Sequence, residues 1–286
     1  MAGSGGGLDV IATPIGNLGD LSPRALAALA AADLVAAEDT RHSAQLLAAA
    51  GLSRPMISLH EHNETQRIAA LLTRMRNGER IALISDAGTP LLSDPGYLLV
   101  SAAASAGISV RAIPGPSAIT AALSVAGLPT DNFVFEGFLS ARAAQRRQQL
   151  QVLSIETRTL VLFEAPHRIL DTLKDLLTVF GAERQAVVAR ELTKAHESIY
   201  RGSIGQLVAM AETDANLARG EIVLVIAGAA VSEQGDMALL GRALPLLLKE
   251  LPPARAASIA AKLAEVPRET AYQMAMQLAG REPSKD

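Results

Sequence analysis

Four short stretches of this chain concentrate the residues that can shape a ligand pocket. They are "TPIGNLGD" (13–20), "EDTRHS" (38–43), "LISDAGTPLLSDPG" (83–96) and "PGPS" (114–117). Each follows a run of apolar residues, so each reads as the loop leaving a buried strand. One such loop is ordinary turn chemistry. Four of them, each with surplus polar residues, read as a pocket at the carboxyl ends of the strands of an open α/β sheet. The glycine pattern G-x-G-x-x-G is missing after the first strand, where only Gly16 and Gly19 occur, and there is no P-loop Gly-Lys-Ser/Thr. Neither usual pyrophosphate cradle is present. "DAGTP" offers backbone amides and carbonyls, one hydroxyl and little bulk, and Gly88 lets a ligand approach the backbone. Such a loop suits a neutral, planar or zwitterionic ligand better than a polyphosphate.

The elements that would position these loops follow a regular alternation. Strands are expected at 8–14, 34–39, 56–60, 81–86 and 110–114. Helices are expected at 22–32, 43–50, 64–77, 96–106 and 116–126. Ser22 is a candidate N-cap with Pro23 in the first turn. Glycines 51, 78, 107 and 127 close four of the helices. The alternation predicts βαβ units and a mostly parallel sheet. "GLPTDN" (127–132) reads as a linker. A second α/β region follows, with strands near 133–138, 159–164, 185–191 and 221–227 and helices near 141–155 and 166–180. Three short helices, at 236–250, 253–264 and 267–280, are punctuated by Pro252-Pro253 and Pro267. The turn Asp94-Pro95-Gly96 reads as a helix start with Asp94 as its cap.

The chain has 286 residues, 49% of them hydrophobic and only 3% aromatic, so Ala, Leu, Val and Ile must fill the core. Net charge is −3, which argues against a protein coated in positive charge but leaves room for a local basic patch. The absence of cysteine excludes disulfides, thiolate metal sites and cysteine nucleophiles, and fits a reducing cytoplasm. No metal site is expected. The start, "MAGSGGG", lacks the basic and apolar segments of a signal peptide and reads as a flexible tail. No apolar run reaches a membrane span.

Six ordered blocks carry a resemblance. "IATPIGNLGDLSPRAL" (11–26), "AEDTRHSAQLL" (37–47), "LISDAGTPLLSDPG" (83–96), "IPGPSAITAALSVAGLPTDNFVFEGFL" (113–139), "LVLFEAPHRI" (160–169) and "RELTKAHE" (190–197) together resemble the ribosomal RNA small subunit methyltransferase I family, a branch of the tetrapyrrole methylase superfamily. The resemblance implies two α/β domains, at 8–127 and 128–230, with a cofactor cleft between them. A small C-terminal helical module over 231–286 and a tail over 1–7 complete the chain. It implies S-adenosylmethionine as cofactor, 16S rRNA of the small ribosomal subunit as substrate, and methylation of a cytidine 2′-hydroxyl in the decoding region. A cytoplasmic homodimer without membrane attachment is the form it implies. In the tetrapyrrole branch the loop after strand four reads Gly-Asp-Pro, where this chain has Thr89-Pro90. The Gly-Pro-Gly-Asp turn after strand one is replaced here by "IGNLGD". Both departures argue against a porphyrin-like substrate. By the same resemblance the cofactor should contact Pro14, the loop Asp86, Ala87, Gly88 and Thr89, then Ser117 and Ala118, and from the second domain Leu139 and Pro166.

Alkylating a ribose hydroxyl calls for a proton acceptor or a nearby cation. Asp39 is the candidate base, with a helix cap or an ion pair with Arg41 as its competing role. Lys194 is the candidate cation, able to steady an alkoxide or grip a phosphate. Arg168 and Arg190 are candidate phosphate contacts. "RAAQRRQQ" (142–149) places Arg142 and Arg146 one helical turn apart with Arg147 beside them, a candidate RNA surface or an ordinary solvated face. Two other functions stay open on the residues alone: a tetrapyrrole-type small-molecule methyltransferase, and a noncatalytic RNA-binding protein that retains the pocket.

Overall fold

The computed structural model describes residues 6–230 and 237–278. β1 (Gly7–Ile11), β2 (Leu34–Ala37), β3 (Met56–Ser58), β4 (Arg80–Ile84) and β5 (Ser109–Ile113) form one sheet in the order β3-β2-β4-β1-β5. Every pair in it is parallel. β2 and β4 are buried at nearly every position, as strands covered on both faces must be. The crossover helices are α1 (Pro23–Ala31), α2 (Thr40–Ala49), α3 (Glu64–Arg76) and α4 (Tyr97–Ser105). α1 starts as its sequence dictates: Ser22 Oγ accepts from the Ala25 N–H at 3.0 Å, and Pro23 occupies the first turn. The tail expected over 1–7 lies outside the described residues except for Gly6 and Gly7. Gly7 already opens β1 and donates its N–H to the Glu79 carbonyl at 3.0 Å.

The first sheet is parallel as its alternation predicts, and the second sheet, for which no pairing direction was expected, is mixed. It is built from β6 (Phe133–Phe138), β7 (Thr159–Glu164), β8 (Gln185–Arg190), β9 (Ser198–Ser203) and β10 (Ile222–Ile226), in the order β6-β7-β10-β8-β9. Only β6 and β7 run parallel; the other three pairs are antiparallel. Its helices are α6 (Ala143–Leu153), α7 (Ile169–Phe180) and α8 (Ile204–Thr213). β9 and α8 were not expected from the sequence. β9 is an edge strand with no fully buried position, so its alternation is weak. α8 nevertheless carries a clear start signal, a capping box between Ser203 and Gln206.

α5 (Ala118–Ala126) ends the first half of the chain but packs on the second sheet. Its Ile119, Ala122, Leu123 and Ala126 share a core with Val161, Val187, Ala189, Val223 and Val225. Because that helix ties the two sheets together, the described residues up to Gly228 form one compact unit. The remainder forms a second unit around its own core. There α9 (Met237–Leu247), α10 (Pro253–Leu263) and α11 (Arg268–Leu278) pack through Leu240, Leu244 and a run of buried alanines. Residues 236, 279 and 280 of the helices expected at 236–250 and 267–280 lie outside the described residues. Among the described residues no helix is long and apolar enough to cross a membrane.

Candidate active site

Hydrogen bonds sew the loops at the carboxyl edge of the first sheet into one floor. The backbones of Thr13 and Gly88 pair in both directions, at 2.8 and 3.0 Å. Thr89 Oγ1 donates to the Pro116 carbonyl at 3.1 Å, which joins the β4 loop to the β5 loop. The Asp39 N–H donates to Asp86 Oδ1 at 3.1 Å, which joins the β2 loop to the β4 loop. The β4 loop is also bent hard: Leu91 (φ 74°), Ser93 (φ 71°) and Gly88 (φ 82°) all sit in the left-handed region. Left-handed leucine and serine are uncommon, and such backbone gathers at functional sites.

Above this floor lies a cavity of about 400 Å³, within the range of small-molecule sites. The first half of the chain contributes Ile15, Ala87, Gly88, Thr89, Ser117 and Ala118. The second sheet contributes Phe138, Phe163, Ala165, Pro166, Ile222 and Val223. Three carboxylates also line it, from Asp94, Glu164 and Glu221, and none of the lining residues carries a basic side chain. Six of the nine expected cofactor contacts are therefore on the wall: Ala87, Gly88, Thr89, Ser117, Ala118 and Pro166. Pro14, Asp86 and Leu139 are not. Asp86 is held beneath the loop by the Asp39 amide. Leu139 is buried in the core under the second sheet, where its carbonyl accepts from Arg168 Nη2 at 2.8 Å.

Asp39 is placed in its structural role. It is the N-cap of α2, and its Oδ1 accepts the Arg41 N–H at 2.8 Å. Lys194 does not line the cavity itself but pairs with Glu221, which does, from a loop with two left-handed residues, Glu191 (φ 52°) and Thr193 (φ 66°). Its Nζ lies 2.9 Å from Glu191 Oε1 and 3.2 Å from Glu221 Oε2. Burial alone would lower the Lys194 pKa, but its hydrogen bonds to Glu191 and Glu221 outweigh that and hold the ammonium above its ordinary value.

The candidate RNA contacts divide sharply. Arg142 and Arg147 are exposed at the start of α6, though Arg147 also reaches Asp175 Oδ1 at 3.2 Å. Arg146 is only 4% exposed. Its guanidinium bonds Asp175 on α7 at 2.7 Å, so it is a packing residue and not a surface one. The period that put Arg142 and Arg146 on one stripe was right, but that stripe turns inward at its second member. Arg190 is likewise buried, and donates to the carbonyls of Asn216 and His196. Arg168 is half-buried and bonds the Leu139 carbonyl and Glu164. These two serve the loops around the cavity before any phosphate.

Sequence reasoning missed the carboxylates of the wall. Asp94 was read as the cap of α4. The N-cap is instead Gly96 (φ 119°), where a Cβ would come within 2.8 Å of the Leu83 side chain. Asp94 is left free to face the cavity. Burial, and then the charge of Asp86, raise its pKa against a hydrogen bond from Ser85 that lowers it. Glu38, at the end of β2, is raised to about 7 by burial and by the charges of Asp94, Asp86 and Glu61. The signal in the sequence was the density of acids after strands two and four, but no spacing rule brings those two loops together.

The cavity fits a compact cation with a zwitterionic tail. Three carboxylates and no basic group reject a polyphosphate and favour a sulfonium and an ammonium. Ser117, the N-cap of α5, makes no side-chain cap bond, so first-turn amides of that helix are left for an anionic group such as a carboxylate. Phe138, Phe163 and Ile222 supply apolar wall for a flat ring.

Comparison with known proteins agrees with this geometry. Residues 8–208 match the family model of Tetrapyrrole (Corrin/Porphyrin) Methylases, and residues 235–279 match the RsmI C-terminal HTH domain. The chain is 50% identical over 267 residues to the Ribosomal RNA small subunit methyltransferase I of Xylella fastidiosa (strain Temecula1), covering 93% of this chain and 98% of that protein. The methyltransferase CobJ superposes with a TM-score of 0.59 at 20% identity, covering 79% of this chain and 95% of that one. Uroporphyrin-III C-methyl transferase from Thermus thermophilus, complexed with S-adenyl homocysteine, superposes with a TM-score of 0.54 at 16% identity over 78% of this chain and 97% of that one. Matched in sequence along nearly its whole length, its α/β part and its helical C-terminal unit alike, the chain belongs to the ribosomal RNA small subunit methyltransferase I family of tetrapyrrole methylases.

Proposed function

We propose that the chain methylates the 2′-hydroxyl of a cytidine ribose in the decoding region of 16S rRNA, on the small ribosomal subunit, with S-adenosylmethionine as donor. The observation that carries this reading is the charge of the cavity, three carboxylates and no cation, beside the open N-terminus of α5. When bound, the cofactor supplies an electrophilic methyl group on a positively charged sulfur. Asp94, Glu164 and Glu221 favour the positive groups, the amides at Ser117 and Ala118 take the carboxylate, and the apolar wall shields the site from water. Holding the hydroxyl in line with the methyl is the largest contribution available, worth up to roughly 7–11 kcal/mol. Lys194, paired with Glu221 of the wall, is suited to a phosphate or a developing alkoxide.

RNA would meet the exposed Arg142 and Arg147. Arg255, Lys262 and Arg268 of the C-terminal module, 231–286, offer a second basic contact. The α/β domains, 8–127 and 128–230, would hold the cofactor between them in a cytoplasmic homodimer. The test is to incubate the protein with methyl-labelled cofactor and small ribosomal subunits, then digest the rRNA. Label in an alkali-resistant dinucleotide at a cytidine supports the reading; label on a base, or only in an added tetrapyrrole, overturns it.

A further inference from the structure

Alkylation of a hydroxyl releases a proton, and the geometry of the cavity narrows where it goes. Asp39 is committed to the cap of α2. Glu164 accepts from the Ala165 N–H at 2.7 Å and from Thr172 Oγ1 at 2.5 Å, and pairs with Arg168 at 3.2 Å. A carboxylate with three donors on it, one of them cationic, is a poor base. Glu221 is paired with Lys194. Asp94 is the remaining carboxylate on the wall. It has no ion pair among the described residues, and the neutral group beside it is Ser85, whose Oγ donates to the Ala87 carbonyl at 3.4 Å.

Glu38 stands behind it. Ala37 pairs with Ile84 across β2 and β4, so the next residues, Glu38 and Ser85, leave the sheet side by side. Ser85 lies beside Asp94, and the Asp39–Asp86 bond clamps the two loops at this point. The charged groups that face Glu38 are Asp94 and Asp86 from the β4 loop and Glu61 from the β3 loop, all acidic.

We propose that Asp94, backed by Glu38, accepts the proton of the substrate hydroxyl. The inference rests on the methyl-transfer reading above. The hydroxyl proton passes to a carboxylate oxygen as the hydroxyl oxygen's electron pair forms the bond to the methyl carbon. The electron pair of the breaking carbon–sulfur bond stays on sulfur, so the leaving group departs neutral. The charge of Asp94 is among the causes that raise Glu38, so the two titrations are coupled. With Glu38 titrating near 7, the pair is a stronger base than an isolated carboxylate and is poised near neutral pH.

The test compares wild type, Asp94→Asn and Glu38→Gln in three measurements: methyl transfer to small subunits across pH, cofactor affinity by calorimetry, and the carboxyl titration of Glu38 by NMR. Asp94→Asn is expected to lower kcat by about 10²- to 10⁴-fold, with a much smaller loss of cofactor affinity, since one of the three wall carboxylates loses its charge. It should also remove the acid limb of the pH profile and move the Glu38 titration down toward that of an ordinary glutamate. Glu38→Gln is expected to shift the acid limb to lower pH with a smaller loss of rate, and reads the same limb should Asp94→Asn fail to fold. An Asp94→Asn enzyme that keeps the wild-type rate and limb overturns the proposal. So does one whose loss of rate matches a loss of cofactor affinity, since Asp94 would then be a cofactor ligand. Should wild type itself transfer no label to the subunits, the methyl-transfer reading falls, and this inference with it.

Discussion

Lys194 lies directly across Gly16: a Cβ at position 16 would sit 2.3 Å from Lys194 Cγ and 3.0 Å from its Cε. The bare backbone of the β1 loop is therefore the bed on which this lysine rests. Gly16 is not in the left-handed region, so alanine there leaves the backbone unstrained and displaces the lysine. Gly16→Ala is expected to lower kcat/KM by about 10- to 100-fold, because small misplacements near the chemistry are that costly, with little change in Tm. Lys194→Ala should cost about as much, and the double variant no more than either. Additive losses in the double-mutant cycle would disconnect the two residues.

Gly88→Val acts on the same floor with a different signature. Gly88 has φ 82°, and a Cβ there would be 3.3 Å from Ile15 Cγ2, itself on the cavity wall. A branched residue forced into the left-handed region costs about 1–2 kcal/mol, and its methyls enter the cofactor's space. The expected outcome is a Tm lower by a few degrees together with loss of cofactor binding by calorimetry. Wild-type cofactor affinity in this variant would remove the β4 loop from the site.

Arg142, at the cap of α6, and Arg146, within it, should separate in two assays. Arg146→Ala strips Asp175 of its buried partner and leaves it only the exposed Arg147 at 3.2 Å, and breaking a buried pair costs up to roughly 3–5 kcal/mol. It should lower stability to denaturant without changing the salt dependence of RNA binding. Arg142→Glu should do the reverse, weakening RNA affinity at low salt and flattening the salt slope by about one unit. Equal loss of stability in both variants would contradict the assignment.

Glu38 predicts a trade between stability and function. Its pKa in the fold, about 7, lies above the ordinary glutamate value of 4.5, so the folded state binds the extra proton between those values. The protonated carboxyl's contribution to stability is fully present below pH 4.5 and is lost as pH rises through 7. Glu38→Gln removes the charge. Its Tm is expected to exceed that of wild type above pH 7, with the difference closing as pH falls toward 4.5. A difference that is constant with pH would mean that Glu38 is not strained by its acidic neighbours.

The sequence by itself determined the strands of the first sheet, its crossover helices and the loops that carry the site. Alternating buried strands and capped helices leave a parallel sheet as nearly the sole outcome, and ligands bind at its carboxyl edge. That is why the loops after β4 and β5 were legible as cavity wall from their positions, whereas Ala87, Gly88, Thr89, Ser117 and Ala118 were named as cofactor contacts by the resemblance. Tertiary structure alone decided which face each arginine of α6 presents, because a helical stripe has the same spacing whether it meets water or Asp175. It decided the antiparallel pairing of the second sheet, since half-buried edge strands such as β9 carry too little pattern to be read. It also decided the role of Asp94. In the sequence an acid before Pro-Gly is a cap. In the fold, Gly96 takes the cap, the β2–β4 register sets Glu38 beside Ser85, and three carboxylates 38, 86 and 94 converge from loops that no spacing rule joins.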